Sequence, residues 1–181
     1  GYRSPSDWLK KTADSVVPNG HGAVVLPTSL LESAGAGAST SLIRALIDQA
    51  KIECVVLLPP ALRRASEKTG SALWVIRGEA SALGSKKILL VDASEPAGFT
   101  DDRRSPQFAT NANAAWTGQV AAAVAAFRSE AWDSFQQDGV VCGVVEPAEV
   151  MSDDLIDLNP INHVAPDRSY DELSSARITI G

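Results

Sequence analysis

A chain of 181 residues, 45% of them hydrophobic, can bury one good core with room for an appendage, and its composition excludes a disordered polymer. Sixteen Lys and Arg against 22 Asp and Glu leave a formal charge of -6. That balance repels a phosphate backbone, so nucleic-acid contact requires a local basic patch or a partner.

In chain order, Ser4-Pro5 or Ser6 can cap a first helix, because a side-chain oxygen there accepts an orphan amide and proline is tolerated in the opening turn. Trp8, Leu9, Thr12, Ala13, Val16 and Val17 recur at helical spacing and predict a stripe packed on a sheet. Pro18-Asn19-Gly20 ends that helix. Gly22-Ala-Val-Val-Leu-Pro27 follows as an apolar run stopped by proline, and Glu53-Cys-Val-Val-Leu-Leu-Pro59 is a second. Runs apolar at nearly every position belong to strands covered on both faces. Residues 30–40, rich in Gly, Ala and Ser, read as a loop. A helix capped by Ser39, Thr40 or Ser41 then runs to Lys51, burying Leu42, Ile43, Leu46, Ile47 and Ala50. Strand, helix, strand with a covered sheet predicts a right-handed parallel crossover. Ligands in such folds sit beyond the carboxyl ends of the strands, which points to the two Leu-Pro ends.

Ser71-Ala-Leu-Trp-Val-Ile-Arg77 and Lys87-Ile-Leu-Leu-Val-Asp92 are two more strands. Residues 94–106 read as a long surface connection. A third helix is expected from Phe108 to Trp132, with Trp116, Val120, Ala123, Val124 and Phe127 as its apolar stripe. Residues 139–145 suggest a short strand and 146–157 a short acidic helix. A last strand is possible at residues 177–180. The expected divisions are 1–100 for the α/β part, 101–135 for loop and helix, and 136–181 for strand, acidic segment and tail.

Cys54 and Cys142 each lie in apolar runs and read as core residues of a reducing compartment rather than a disulfide. The histidines, His21 and His163, have no zinc-ligand companions, so no metal site is expected. No apolar stretch has the 18 or so residues of a membrane span and the first residues are not a signal peptide, so a cytoplasmic protein without membrane contact is expected. The chain starts Gly1-Tyr2-Arg3 and its one methionine is Met151, which fits an excised or processed piece.

Gly35-Ala-Gly37-Ala-Ser39-Thr40 precedes a helix but lacks the third glycine of a dinucleotide fingerprint and the Gly-Lys of a P-loop, and reads as a loop. Lys68-Thr69-Gly70 lacks the Ser-x-x-Lys partner of penicillin-recognising enzymes. Asn159-Pro160-Ile161-Asn162 lacks the second proline and stacking aromatic of a target-amine loop, and reads as a turn. Nothing assembles a Ser, His and Asp hydrolase set. Arg63, Arg64 and Lys68 form a basic cluster just past the second Leu-Pro. Such clusters are usually solvated, and phosphate contact beside a cleft is the functional reading.

Taken in order and spacing, several of these segments resemble the modification (M) subunit of type I restriction-modification systems, an adenine-N6 DNA methyltransferase. They are Trp8 to Val17, then Pro18 to Pro27 with Leu30, Ile43-Arg-Ala-Leu-Ile47, Ile52-Glu-Cys-Val-Val-Leu-Leu-Pro59, Thr69-Gly70 leading into Ala72-Leu-Trp-Val-Ile76, Lys87-Ile-Leu-Leu-Val-Asp-Ala-Ser94 and, near the end, Glu149 to Asp157 with Leu158-Asn159-Pro160. The likeness is strong over residues 8–95 and weaker over 140–164. It implies an α/β fold, a partial Rossmann-like methyltransferase sheet, mixed but mostly parallel, flanked by helices and with a C-terminal helical extension. In that family order residues 72–76 would be an antiparallel strand between two parallel neighbours.

The family's glycine-rich S-adenosylmethionine loop and its Asn-Pro-Pro-Tyr or Asn-Pro-Pro-Phe catalytic loop match nothing in this chain, so no catalytic or cofactor residue carries over. Arg63 stands near a position where the family usually has an aromatic. The resemblance implies the C-terminal part of a methylase subunit. Its full-length parent would use S-adenosylmethionine and engage DNA and the specificity and restriction subunits, while this chain alone binds no cofactor and is inactive. The other reading is a non-catalytic methyltransferase-like interaction domain. In both, the strand at residues 23–26 would be an open sheet edge through which the piece self-associates.

Overall fold

Ser4 opens the first helix by a reciprocal cap. Its hydroxyl accepts the Asp7 N–H at 3.2 Å, and the Asp7 carboxylate accepts the Ser4 N–H at 2.8 Å. Two orphan groups are thereby satisfied at the start of α1 (Pro5–Ser15). The computed structural model describes residues 4–59, 70–78, 86–94, 112–132 and 140–164, with the side chains of the third helix from residue 116 onward. In order the remaining elements are β1 (His21–Pro27), β2 (Glu32–Ala34), α2 (Ala38–Asp48), β3 (Ile52–Leu57), β4 (Ser71–Arg77), β5 (Ile88–Asp92) and α3 (Ala112–Arg128). They end with β6 (Val141–Val145), α4 (Pro147–Val150), β7 (Leu155–Asp157) and α5 (Pro160–Val164).

Five strands make one sheet in the order β1-β4-β3-β5-β6, and β2 pairs with β7 in a separate two-stranded sheet. β4 runs antiparallel to both β1 and β3, so it is the antiparallel strand between two strands that point the same way. The sheet is mixed, as expected, but parallel pairing is confined to β3 with β5. The crossover from β1 through α2 therefore reaches a parallel strand that is not its neighbour.

The sheet has two covered faces. On one, Leu9 and Ala13 of α1, Ile43, Leu46 and Ile47 of α2, and Ile156 and Leu158 share a core with Trp74 and Ile76 of β4. On the other, Trp116 and Ala123 of α3 pack with Cys54, Val56, Leu89 and Val91. The stripe read on α3 faces this second core, with Val120, Val124 and Phe127 partly buried against it. This is a helix, sheet, helix layering. β3 is buried at all six positions and β5 at four of five, as continuous apolar runs require.

β1 departs from that expectation. It stands at the end of the sheet, and only Leu26 of its seven residues is buried. Apolarity alone does not separate an edge strand from a covered one. Trp8 and Val17 of the first stripe are also exposed, since α1 turns only its Leu9 and Ala13 side fully inward. The cap of α2 is Gly37, not Ser39, Thr40 or Ser41; Thr40 is instead buried and the helix ends at Asp48. The stretch read as a loop contains β2, and the acidic helix shrinks to four residues followed by β7. The possible strand at 177–180 and the start of the third helix at Phe108 lie outside the described residues.

Candidate functional site

The two Leu-Pro ends stand at the same end of the sheet, because β1 and β3 point the same way. Backbone bonds join the strands there. Thr28 N–H donates to Gly70 C=O at 2.9 Å, Leu58 N–H to Ser71 C=O at 3.0 Å, and Ala93 N–H to Leu57 C=O at 3.0 Å. β5 ends beside them in a turn in which Asp92 Oδ1 accepts the Ser94 N–H at 2.9 Å and the Ser94 hydroxyl at 2.6 Å. Asp92 is thus committed to its own turn. Among the described residues, the rim formed by these strand ends supplies shape and backbone groups rather than an acid–base pair. Arg63, Arg64 and Lys68 follow this rim in sequence and lie outside the described residues.

A second polar concentration sits at the opposite end, where β3 begins. Glu53 is buried, with 2% of its surface exposed, inside an otherwise apolar strand. Arg128, in the last turn of α3, donates to both of its oxygens at 2.7 and 3.0 Å, and His21 Nε2 stands 3.3 Å from Oε2. The Glu53 hydrogen bond raises the Arg128 guanidinium above its ordinary pKa. Burial lowers Arg77, whose guanidinium gathers carbonyls of Ala50 at 2.6 Å, Ile52 at 3.4 Å and Lys87 at 2.9 Å. Burial, then the Glu53 charge, pushes the Cys54 thiol far up, so it stays protonated; both cysteines are free of disulfides.

Sequence reading missed this cluster. Its one signal was a carboxylate in a strand that is otherwise apolar, since a buried charge demands a partner. Asn159-Pro160-Ile161-Asn162, read as a turn, instead opens α5, with Pro160, Ile161 and Asn162 helical. Asn159 N–H and the Asn162 side chain donate to the Asp157 carboxylate at 2.9 Å each, and Asn159 Nδ2 reaches Glu32 at 2.8 Å. His163 closes the same knot, its ring 2.9 Å from the Asp157 carbonyl. Gly35, with φ of +75°, gives its N–H to Asp154 C=O at 2.9 Å, so the glycine-rich stretch ties down β2 and starts α2. Among the described residues no three His, Cys, Asp or Glu group as metal ligands, and no helix is long and apolar enough to cross a membrane.

A family model described as N-6 DNA Methylase matches residues 4–172. The chain belongs to the N-6 DNA methylase family. No curated protein matches it in sequence. Its fold overlaps a modification subunit from Vibrio vulnificus YJ016, with TM-score 0.54 and 16% identity over 93% of this chain and 33% of that one. It also overlaps a structure of the type I R-M system solved for its complex assembly and conformational transition, with TM-score 0.54 and 20% identity over 88% and 32%. The type I restriction-modification methyltransferase subunit from Streptococcus thermophilus aligns over 73% of this chain and 24% of that one, with TM-score 0.47 and 18% identity. The methylase chain described here therefore spans about a quarter to a third of the length of these structures. The antiparallel strand implied by the family likeness is β4.

Proposed function

We propose that this methylase-family chain is the distal flank of the catalytic domain of a type I modification subunit. The full-length parent transfers a methyl group from S-adenosylmethionine to N6 of an adenine in DNA, working with specificity and restriction subunits. The observation that carries this reading is β4, inserted antiparallel between β1 and β3 within a family match that spans nearly the whole chain. In the parent, the Leu26-Pro27 and Leu58-Pro59 ends form one wall of the cleft that receives an extruded base, as ligands of such sheets sit beyond the carboxyl ends of strands. The basic residues Arg63, Arg64 and Lys68, which follow Pro59, contact DNA phosphate beside that cleft.

Residues 1–181 hold neither an Asn-Pro-Pro-aromatic sequence nor a complete glycine-rich cofactor loop, since Gly35-Ala-Gly37, which follows β2, lacks the third glycine and joins β2 to α2; the cofactor and the target amine are therefore held elsewhere in the parent. Calorimetry of residues 1–181 with S-adenosylmethionine is expected to show no binding. A longer parent carrying both motifs is expected to methylate adenine in duplex DNA. Micromolar affinity of residues 1–181 for the methyl donor would overturn the reading. A parent that has both motifs yet transfers no methyl group would favour the non-catalytic interaction domain.

A further inference from the structure

α2 begins without a side-chain cap. Its N-cap is Gly37, which has no side-chain oxygen to offer, so the amides of Ala38, Ser39 and Thr40 open the helix with no intrahelical acceptor. A Ser, Thr, Asp or Asn commonly takes that role, as Ser4 does for α1. Gly37 and Ala38 are exposed and Ser39 half-buried, so these amides and the positive end of the helix dipole can be reached from outside.

Thr40 adds a polar atom to this helix end. The residue is only 6% exposed, yet its hydroxyl bonds to no other described residue. A Cβ built on Gly37 would stand 3.8 Å from Thr40 Oγ1 and within 4 Å of nothing else among the described residues. The oxygen is therefore turned back toward the N-cap, with open space before it. Among the described residues the one sealed side-chain polar atom without a partner is Trp74 Nε1, so the Thr40 hydroxyl keeps a path to the surface. A hydroxyl held in that way bonds whatever enters the space in front of it.

The fold puts this helix end beside the cleft rim. α2 carries the chain back from the carboxyl end of β1 to the start of β3, since Asp48 ends the helix and Ile52 begins the strand. Its N-terminus, about 16 Å away at 1.5 Å per residue, stands on the side of Leu26-Pro27 and Leu58-Pro59. The approach is fixed by backbone bonds: Gly35 N–H donates to Asp154 C=O and Ser41 N–H to Gly37 C=O, both at 2.9 Å. Charges nearby are mixed. Arg44 spends its guanidinium on the Ser152 and Asp153 carbonyls at 2.8 and 3.0 Å, while the Asp153 and Asp154 side chains are exposed. In a chain of net charge -6, an anion is held here by fixed amides and a hydroxyl rather than by long-range attraction.

We infer that the N-terminus of α2 is a phosphate-binding site, in which the amides of Ala38, Ser39 and Thr40 and the Thr40 hydroxyl donate to the phosphate oxygens, and that in the parent methylase it holds a backbone phosphate of DNA beside the cleft. Every group the site offers is a hydrogen-bond donor, which suits an oxyanion, and the missing Cβ of Gly37 lets the phosphate come close to the backbone. The assignment to DNA rests on the proposed function; the binding of phosphate does not.

The test follows amide NMR shifts of residues 1–181 during titration with inorganic phosphate and, separately, with a short DNA duplex, at an ionic strength held constant with chloride. Saturable shifts centred on Ala38, Ser39 and Thr40 are expected with both. Thr40→Val keeps the side-chain shape without the hydroxyl and should weaken phosphate binding roughly tenfold, as loss of one hydrogen bond to a charged group does. Gly37→Asp places a carboxylate on the same amides, so it should abolish phosphate binding while raising Tm, which separates loss of the site from loss of the fold. Absence of saturable shifts at these amides overturns the inference, and so does a Gly37→Asp chain that binds phosphate as well as the unaltered one. Shifts with inorganic phosphate and none with the duplex overturn the assignment to DNA. Adenine methylation by the longer parent is assayed separately: an active parent with silent amides sinks the phosphate site alone, and an inactive parent with responsive amides sinks the proposed function alone.

Discussion

Arg128 sets both arms of its guanidinium on the carboxylate of Glu53, linking the last turn of α3 to a buried position at the start of β3. The pair spans 75 residues of sequence. Glu53 is enclosed while Arg128 is 44% exposed along its side chain, so the two partners are not equivalent. Removing Arg128 takes away the two hydrogen bonds to a buried charge and leaves it with His21 at 3.3 Å and the charge of Arg77. Removing the charge on Glu53 leaves an arginine that water can solvate.

Arg128→Ala should therefore cost about 2 kcal/mol, the range for leaving a buried charged acceptor poorly satisfied. Glu53→Gln should cost distinctly less. Urea unfolding of both variants checks the order, and equal stabilities would show that α3 is held by its apolar stripe alone.

The fold was legible where burial is symmetric. β3 and β5 are apolar at nearly every position because helices cover both of their faces, and periodicity reads that directly. β1 is equally apolar but stands at an edge, and its neighbour β4 comes from residues about fifty positions later. Composition carries no record of which strand is inserted beside it; the order came from family likeness. β2 and β7 are three residues each and pair across more than a hundred positions, too short for any period to show. At the candidate site the two Leu-Pro ends were readable, since proline stops a strand. The partners of Glu53 were not, because nothing local ties His21 or Arg128 to that position.

Gly78 closes the far end of the β1/β4 ladder, where a Cβ would stand 2.1 Å from the Val17 carbonyl oxygen. Backbone on both sides leaves no flexible group to yield. Gly78→Ala should destabilise by about 2 kcal/mol or more, as overpacking against fixed atoms does. Gly118, within α3, has nothing within 4 Å of an added Cβ among the described residues, so Gly118→Ala should stabilise by about 1 kcal/mol through helix propensity. Opposite shifts of Tm check the pair, and a neutral Gly78→Ala would show that this junction relaxes.

α2 ends with Ala50 at φ of +55°, its N–H bonded to Ile47 C=O and that of Lys51 to Leu46 C=O. That is the geometry of a left-handed helix stop, which glycine adopts without the Cβ penalty. Ala50→Gly should raise stability, by about 1 kcal/mol less the entropy lost from a freer unfolded chain. Thermal unfolding reads the sign directly. A fall in Tm would mean that unfolded-chain entropy outweighs the relieved strain.

Cys54 is fully buried between a neighbouring carboxylate and the second core, and its thiol is held protonated well above the ordinary range. As pH rises past the ordinary thiol value of about 8.5, the unfolded chain releases this proton while the native chain keeps it. The native state then binds one more proton, so stability falls with pH by about 1.4 kcal/mol per unit from this group alone. Below that pH the group contributes no slope. Cys54→Ala should remove this component, at the cost of a small cavity that is independent of pH. Urea unfolding at pH 7.5 and 9.5 should accordingly show the variant losing less stability between the two conditions than the parent sequence does. An equal loss would mean that the Cys54 thiol ionises in the folded protein.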